Sequence, residues 1–329
     1  MNNPWSDIAT PTREFNVRLV SEKHPLKLYW GKDVRGGYLF IIQFSQEATP
    51  DKKILPELSG IRIAIAPAPD CCRLVLLLNE TQNWEIFKSL CIDLIHASES
   101  TANHSEAVNV IIRRLLRWHE FLKREKLHLL SPEAIKGLIG ELLFIKNVLA
   151  PQFGWAESIS FWKGPLGAPQ DFAVYDTAVE VKAQSGSSKP YVQISSLEQM
   201  EAQLPHFYLI VNTLATIDPE HEEAFTLNSL VADIRAELAN ADDMALEFFE
   251  SLIFQAGYVQ HEHYDTPSYR CVASKSFCVC DDFPRLMVGN VPSGITKATY
   301  QISLDSCMPF EKELKFTTQE GYDDDRRVL

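Results

Sequence analysis

One short segment carries the residues best suited to chemistry. Polar and apolar residues alternate along Val179-Glu180-Val181-Lys182-Ala183-Gln184. Because successive side chains of a strand point to opposite faces, Glu180, Lys182 and Gln184 are predicted to share one face. A carboxylate and an ammonium group would then be neighbours. Taken alone, such a pair is more typical of an exposed ion pair than of a reactive site.

A second carboxylate precedes this segment. Asp171 follows a loop rich in glycine and proline and begins the preceding predicted strand. A hairpin through Asp176-Thr177 would bring its side chain beside Glu180. Two carboxylates on adjacent strands form a hard oxygen site that suits Mg²⁺. The alternative is that Asp171 is a turn or cap residue after Pro169.

A third carboxylate lies on a predicted helix. Ser131-Pro132 is typical of a helix start, and the helix is predicted to end near Leu149, before Pro151. Glu141 lies among the apolar positions of this helix, away from its polar side. Burying a carboxylate without compensation is costly, so a basic group, a hydrogen-bond network or a metal ion must offset it. Lys182 or a shared cation is the obvious candidate.

Together these residues resemble the PD-(D/E)XK nuclease superfamily. Residues 137–142 with Glu141, then Gln170-Asp171-Phe172, then Glu180-Val181-Lys182 are similar to its helix acid, first metal ligand and ExK pair. The proline of the motif's Pro-Asp pair stands one position early here. This resemblance spans residues 131–215. More narrowly, the whole chain resembles a bacterial family of PD-(D/E)XK motif proteins that is associated with restriction-type defence genes.

The resemblance implies a fold, a cofactor and roles for individual residues. The fold would be α/β, with an αβββαβ core and a mixed sheet. Mg²⁺, for which Mn²⁺ could substitute, would be held by Asp171, Glu180 and the carbonyl of Val181. Glu141 would be a ligand of a second metal ion or would hydrogen-bond a metal-bound water. Lys182 would orient the attacking water or offset developing charge. Two glutamines, Gln184 and Gln193, would lie near the scissile phosphate.

The charge distribution bears on a nucleic-acid partner. The net charge is −13, but residues 216–329 contribute 21 acidic and 9 basic residues, a balance of −12. The rest of the chain is nearly neutral and contains one basic stretch, with Arg113, Arg114 and Arg117 on a predicted helix. These arginines and Lys163 are candidate phosphate contacts. The alternatives are a solvated helix face and, for residues 162–165, an ordinary connection.

Three regions are predicted along the 329 residues. Residues 1–100 form a β-rich region that ends in a helix, and residues 101–215 form the nuclease-like core with the basic helix before it. Residues 216–329 form an acidic α+β region. Within the core, a strand is predicted at Ile159–Trp162 and a helix at Ser195–Gln203. Two strands are predicted near Tyr269–Ala273 and Phe277–Cys280.

Other classes of protein fit less well. The chain lacks a P-loop, a Gly-x-Gly-x-x-Gly motif, a His-Glu-x-x-His motif and a Gly-x-Ser-x-Gly motif. Cys271, Cys278, Cys280 and Cys307 could furnish a zinc site, but reduced core thiols are favoured. The apolar runs are too short to cross a bilayer, and the first residues do not form an export signal, so a cytoplasmic protein is expected.

Two functional hypotheses follow. The favoured one is a Mg²⁺-dependent DNA endonuclease of a bacterial restriction or phage-defence system, and a homodimer would suit cleavage of both strands. The other is a non-cleaving DNA-binding or scaffolding subunit that works with a partner ATPase, helicase or methyltransferase. The acidic last third motivates it, since that surface suits a basic protein better than DNA. A nuclease acting on RNA is a third possibility.

Overall fold

The computed structural model describes residues 3–99, 101–123, 129–186, 190–295 and 297–316. Within these ranges the chain divides into two compact units. The first contains residues 1–129 and 259–262, and the second contains residues 130–258 and 263–329. In the described ranges, no helix has the length and apolar character that a membrane span requires.

The first unit is an antiparallel sheet with two helices. The sheet has the order β1-β2-β3-β5-β4, and its central strand β3 is buried on both faces at Leu39, Phe40, Ile41 and Ile42. The elements are β1 (Phe15–Leu19), β2 (Lys27–Asp33), β3 (Tyr38–Phe44), β4 (Ile61–Ala68), β5 (Cys71–Leu78), α1 (Trp84–Ser98) and α2 (His104–Lys123).

The second unit contains the predicted core. Its elements are α3 (Pro132–Phe144), α4 (Ala150–Phe153), α5 (Trp155–Ser160), β6 (Phe172–Val174), β7 (Thr177–Ser185), β8 (Tyr191–Ile194), β9 (His206–Ile217), α6 (Leu227–Ala241), α7 (Asp243–Gln255), β10 (Ser268–Cys278), β11 (Tyr300–Ser303) and α8 (Leu304–Cys307). A four-stranded sheet has the order β10-β9-β7-β6, and β8 pairs with β11 in a separate two-stranded sheet.

The four-stranded sheet is mixed, as expected. β7 runs parallel to β9, whereas β6 is antiparallel to β7 and β10 is antiparallel to β9. Helix α3 packs closely on β7 because Gly140 has no side chain at the contact. A Cβ atom at Gly140 would lie 3.4 Å from both Ala183 and Val181. Asn212 on β9 adds a buried hydrogen bond, from its Nδ2 to the Gly140 carbonyl at 3.2 Å.

The start of α3 is as predicted, but its end is not. The Ser131 side chain accepts a hydrogen bond from the amide of Ala134, and Pro132 occupies the first turn. The helical run continues past Pro151, because a π-helical turn at residues 145–149 leads directly into α4. Pro151 has no N–H to donate and lies just after this π-helical turn, so the helical run passes it with one hydrogen bond fewer. The helical run ends instead at Gly154, whose φ is +76°.

Four other predicted elements differ. Residues 155–160 form helix α5, not a strand, and only Trp162 forms an isolated bridge, with Phe172. Short apolar runs fit either element, so periodicity could not distinguish them. The helix predicted at 195–203 is one 3₁₀ turn, Glu198–Met200. The two strands predicted near 269–280 are one strand, β10, with an irregularity between Cys271 and Ala273.

The units also group the residues differently from the three expected regions. Helix α2, expected with the core, lies in the first unit. The boundary expected after residue 215 falls within β9, which hydrogen-bonds to β10 along most of its length. The acidic C-terminal region therefore contributes a strand to the same sheet as the core.

Candidate active site

Strand β7 presents its polar residues at an open edge of the sheet. β6 pairs with β7 only at Thr177, Ala178 and Val179, so the edge is uncovered from Glu180 onwards. Glu180 is fully buried, and the Lys182 ammonium lies 2.7 Å from its Oε1 atom. Further along the same face, the Gln184 side-chain amide donates to Thr213 at 3.0 Å. The alternation predicted from sequence is therefore present.

Asp171 closes the uncovered edge with its side chain. Its Oδ2 atom accepts a hydrogen bond from the backbone amide of Val181 at 2.8 Å. The Asp171 backbone is also held, because its carbonyl accepts from the amides of Lys163 and Gly164 at 2.7 and 3.0 Å. The hydrogen bond from Val181 to the Asp171 side chain takes the place of the β6–β7 pairing, which ends at Phe172 and Val179. The second carboxylate is thus fixed beside Glu180.

Helix α3 supplies the third carboxylate. The Trp162 indole N–H donates to Glu141 Oε2 at 2.6 Å, and Trp162 itself is fully buried. Gly164 lies against this pair of acids. A Cβ atom there would be 2.9 Å from Asp171 Oδ1 and 3.3 Å from Glu141 Oε2. Any residue larger than glycine would therefore fill the space that both carboxylates border.

Gln199 fixes the lysine from the other side. Its Oε1 atom accepts from the Lys182 ammonium at 3.3 Å and from the backbone amide of Ser195 at 2.9 Å. Lys182 is therefore held between the Glu180 carboxylate and the Gln199 amide. The compensation expected between Lys182 and Glu141 falls mainly to Trp162, which makes the direct hydrogen bond.

The three carboxyl groups, Lys182, Gln184 and Gln199 line one cavity of about 580 Å³. Its wall includes the three carboxylates, Lys182 and a set of further polar side chains. The full lining is Glu133, Lys136, Gly137, Glu141, Asp171, Glu180, Val181, Lys182, Ala183, Gln184, Ser185, Tyr191, Val192, Gln193, Ser195 and Gln199. The cavity therefore joins α3, the open edge of β7, β8 and the 3₁₀ turn.

The carboxyl groups hold their protons more tightly than usual. Burial, followed by the charge of Asp171, raises the pKa of Glu180 to about 8, against the lowering effect of Lys182. Burial is also the largest cause that raises the pKa values of Glu141 and Asp171. The Trp162 hydrogen bond and the Val181 amide act in the opposite direction. Withdrawal from water and mutual repulsion thus disfavour three negative charges here.

The chemistry of these residues fits a hard divalent cation. The acidic groups offer only oxygen ligands. Within the described ranges, neither Glu180 oxygen meets a donor with hydrogen-bond geometry, although Lys182 makes its ion pair. In that same part of the chain, no three His, Cys, Asp or Glu side chains are already close enough to hold an ion together. An ion would therefore have to draw the carboxylates inward and compete with Lys182 for Glu180.

The predicted nucleic-acid contacts are distributed over several places. Gln193 lines the cavity, and its amide nitrogen donates to the Tyr300 carbonyl at 3.1 Å. Lys163 borders a separate cavity of about 620 Å³, and its ammonium donates to the Ser160 carbonyl. The arginines at positions 113, 114 and 117 lie on α2 in the first unit, where Arg114 pairs with Asp93 at 3.4 Å.

Two side chains of the site carry no clear signal in the sequence. Trp162 falls in a predicted strand next to a connecting loop, and nothing in a single tryptophan signals a carboxylate partner. Gln199 falls in a predicted helix, and its spacing gives its side chain no defined direction. A buried acid on α3 was the only available signal, because it required a donor from somewhere in the fold.

The mixed sheet, α3 and the cavity of carboxylates and lysine are consistent with the nuclease-like PD-(D/E)XK class of proteins. The chain belongs to the family described as "Putative PD-(D/E)XK family member, (DUF4420)", whose model matches residues 1–305. This confirms the family resemblance found in the sequence. Comparison with curated proteins and with solved structures finds no match.

Proposed function

We propose that this protein is a Mg²⁺-dependent DNA endonuclease that hydrolyses phosphodiester bonds. The observation that carries the proposal is the convergence of Glu141, Asp171, Glu180 and Lys182 on one cavity. Membership of a PD-(D/E)XK family supports nuclease chemistry as the class. A role in bacterial restriction or phage defence rests on the resemblance of the chain to a family associated with such genes.

Asp171, Glu180 and Glu141 are the residues that would hold the ion. The carbonyl of Val181 is a further ligand, because the N–H of this residue already points to the open edge, and both backbone groups of a strand residue face the same edge. Such an ion supplies Lewis-acid activation of the phosphodiester and of the attacking water. Glu180 would release its proton when the ion binds, since only the carboxylate is a good ligand.

Lys182 would act on the water and on the charge that develops at phosphorus. Its ammonium lies against Glu180 and donates to Gln199, which leaves N–H groups available for a further acceptor. A fixed donor of this kind stabilises the transition state without reorganising during the reaction. Glu141, held by Trp162, would keep the opposite side of the site acidic and ordered.

Nicking of supercoiled plasmid tests the proposal. Purified protein is incubated with plasmid in Mg²⁺, Mn²⁺ or EDTA, together with Lys182→Ala and Asp171→Asn. We expect metal-dependent nicking by the wild type, and a loss of at least about 100-fold in each variant. A matched control is Lys146→Ala, because Lys146 pairs with Asp233 at 2.7 Å and does not line the cavity. Nicking that persists in Lys182→Ala would refute the assignment.

A second candidate is a non-cleaving DNA-binding or scaffolding subunit. One observation favours it: without an ion, burial keeps Glu180 protonated and the Lys182 ammonium lies against Glu180 and Gln199, so the cavity has a stable state that needs no metal. The acidic residues of the last third suit a basic partner protein, such as an ATPase or a methyltransferase. Stoichiometric co-purification of a partner, with no nicking under any metal condition, would favour this function.

A further inference from the structure

The cavity continues past Lys182 along β7. Beyond this lysine, its wall is formed by Lys136 of α3, Ser185 at the end of β7, and Tyr191 and Gln193 of β8. None of these groups is needed to hold an ion or to activate water. This part of the cavity is therefore available for the part of a substrate that flanks the reacting bond.

Lys136 supplies a positive charge there. Its ammonium donates to Ser185 Oγ at 3.1 Å. Within the described ranges, no carboxylate lies within 4 Å of it. The other basic residue of the cavity wall, Lys182, is paired with Glu180. Lys136 can therefore neutralise an incoming anion without first breaking an ion pair, and Ser185 adds a hydroxyl donor beside it.

Tyr191 supplies an exposed aromatic surface. On β8 the side chains alternate, so that Val192 and Ile194 are buried while Tyr191 and Gln193 face outward. Tyr191 is 38% exposed, and among the described residues its ring stacks on no other ring. An exposed ring on a rigid strand is a platform on which an unpaired base can stack, whatever its identity.

The spacing matches a polynucleotide strand. Ser185 lies three residues beyond Lys182, on the opposite face of β7, and this corresponds to about 10 Å along the open edge of the strand. Phosphates of one strand of B-form DNA are spaced by about 3.4 Å along the helix axis, and more in an extended strand. A strand that follows this edge would therefore bring a phosphate to Lys136 within about three nucleotides of the scissile one.

We infer that Lys136, Ser185 and Tyr191 form a subsite for one unpaired nucleotide, with its phosphate on Lys136 and its base stacked on Tyr191. The inference rests on the proposed nuclease function and deepens it, because it assigns single-stranded nucleic acid, or a locally unpaired segment, as the preferred substrate. Duplex ends and mismatches would be bound through their unpaired nucleotides.

Binding without cleavage tests the subsite. A fluorescein-labelled 12-nucleotide single strand and a blunt duplex of the same sequence are titrated in EDTA, and anisotropy is recorded over a series of salt concentrations. We expect Tyr191→Ala to weaken single-strand binding by about 5- to 100-fold and to leave duplex binding nearly unchanged. Tyr191→Phe should retain the affinity, because it keeps the ring.

The charge is tested separately. Lys136→Met should reduce the slope of log affinity against log salt by about 0.7 for the single strand, the value for one phosphate contact. Lys146→Met serves as the matched control, because its ammonium pairs with Asp233 at the surface, and it should keep the wild-type slope. Melting temperatures of all variants check that each is folded.

Single-strand affinity of Tyr191→Ala equal to that of the wild type would overturn the inference, and so would an equal loss on duplex. An unchanged salt slope in Lys136→Met would also overturn it. The proposed nuclease function and the proposed subsite can be refuted separately. A wild type that binds the single strand but cleaves neither it nor plasmid in Mg²⁺ or Mn²⁺ refutes the nuclease and leaves the subsite intact. A wild type that nicks, with Tyr191→Ala binding normally, refutes the subsite alone.

Discussion

Glu180→Gln should change how the stability of the metal-free protein depends on pH. The pKa of Glu180 is about 8 in the folded protein, against a usual value of 4.5. A carboxyl whose folded-state pKa is raised binds its proton more tightly in the folded state than in the unfolded state. Glu180 therefore contributes its full share to the free energy of unfolding below about pH 4.5, and this share is lost as the pH rises towards 8.

The magnitude follows from one proton. Each pKa unit corresponds to about 1.4 kcal/mol, so the free energy of unfolding should fall by roughly that amount per pH unit inside the window. Between pH 6 and 8 the loss from Glu180 is about 2 kcal/mol, since the slope flattens near the folded-state pKa. Gln has the same shape but no titration, so Glu180→Gln should lack this loss.

Urea unfolding in EDTA at pH 6, 7 and 8 measures the effect. The quantity compared is the difference between the wild type and Glu180→Gln at each pH, which cancels the titration of most other groups. Glu133→Gln is the matched control, because Glu133 lines the same cavity but is exposed. It should keep the wild-type slope. Parallel curves for the wild type and Glu180→Gln would refute the conclusion that burial keeps Glu180 protonated.

Three further substitutions test other parts of the site. Gly164→Ala would place a methyl group 2.9 Å from Asp171 Oδ1, and calorimetric titration should show Mn²⁺ binding weakened by about tenfold or more. Gly137→Ala is the control and should keep the wild-type affinity for Mn²⁺, because a Cβ atom there meets nothing within 4 Å. Gln199→Leu removes the hydrogen-bond acceptor of the Lys182 ammonium and should lower the nicking rate by about tenfold, and Gln199→Glu should restore the rate. Equal nicking rates for Gln199→Leu and the wild type would show that Glu180 alone positions the lysine. Asn212→Ala leaves the Gly140 carbonyl without its side-chain donor and should cost about 1 to 3 kcal/mol in urea unfolding, and an unchanged midpoint would contradict this.

The parts of the site that could be predicted are those set by local geometry. A strand has a fixed two-residue period, so the shared face of Glu180, Lys182 and Gln184 followed from their spacing alone. The start of α3 followed from Ser131 and Pro132, because capping is a local interaction. These features need no knowledge of the rest of the chain.

The parts that could not be predicted depend on contacts between distant segments. Trp162 meets Glu141 only because residues 155–160 fold as a helix, and the sequence pattern there fits a strand equally well. Gln199 reaches Lys182 because a predicted helix is reduced to one 3₁₀ turn, which redirects the side chain. The core and the acidic region also share one sheet, in which β9 pairs with β10. This is a tertiary contact, and the charge balance of the sequence gives no indication of it.

Every residue that lines the cavity lies between Glu133 and Gln199. The residues of the cavity wall thus come from one continuous fifth of the sequence. The loops that close to bring them together are short, so the conformational entropy lost on closing them is small. Mutations that accumulate in the first unit leave these carboxylates and lysine untouched. The first unit can therefore change in sequence without altering any of the described residues that line the cavity.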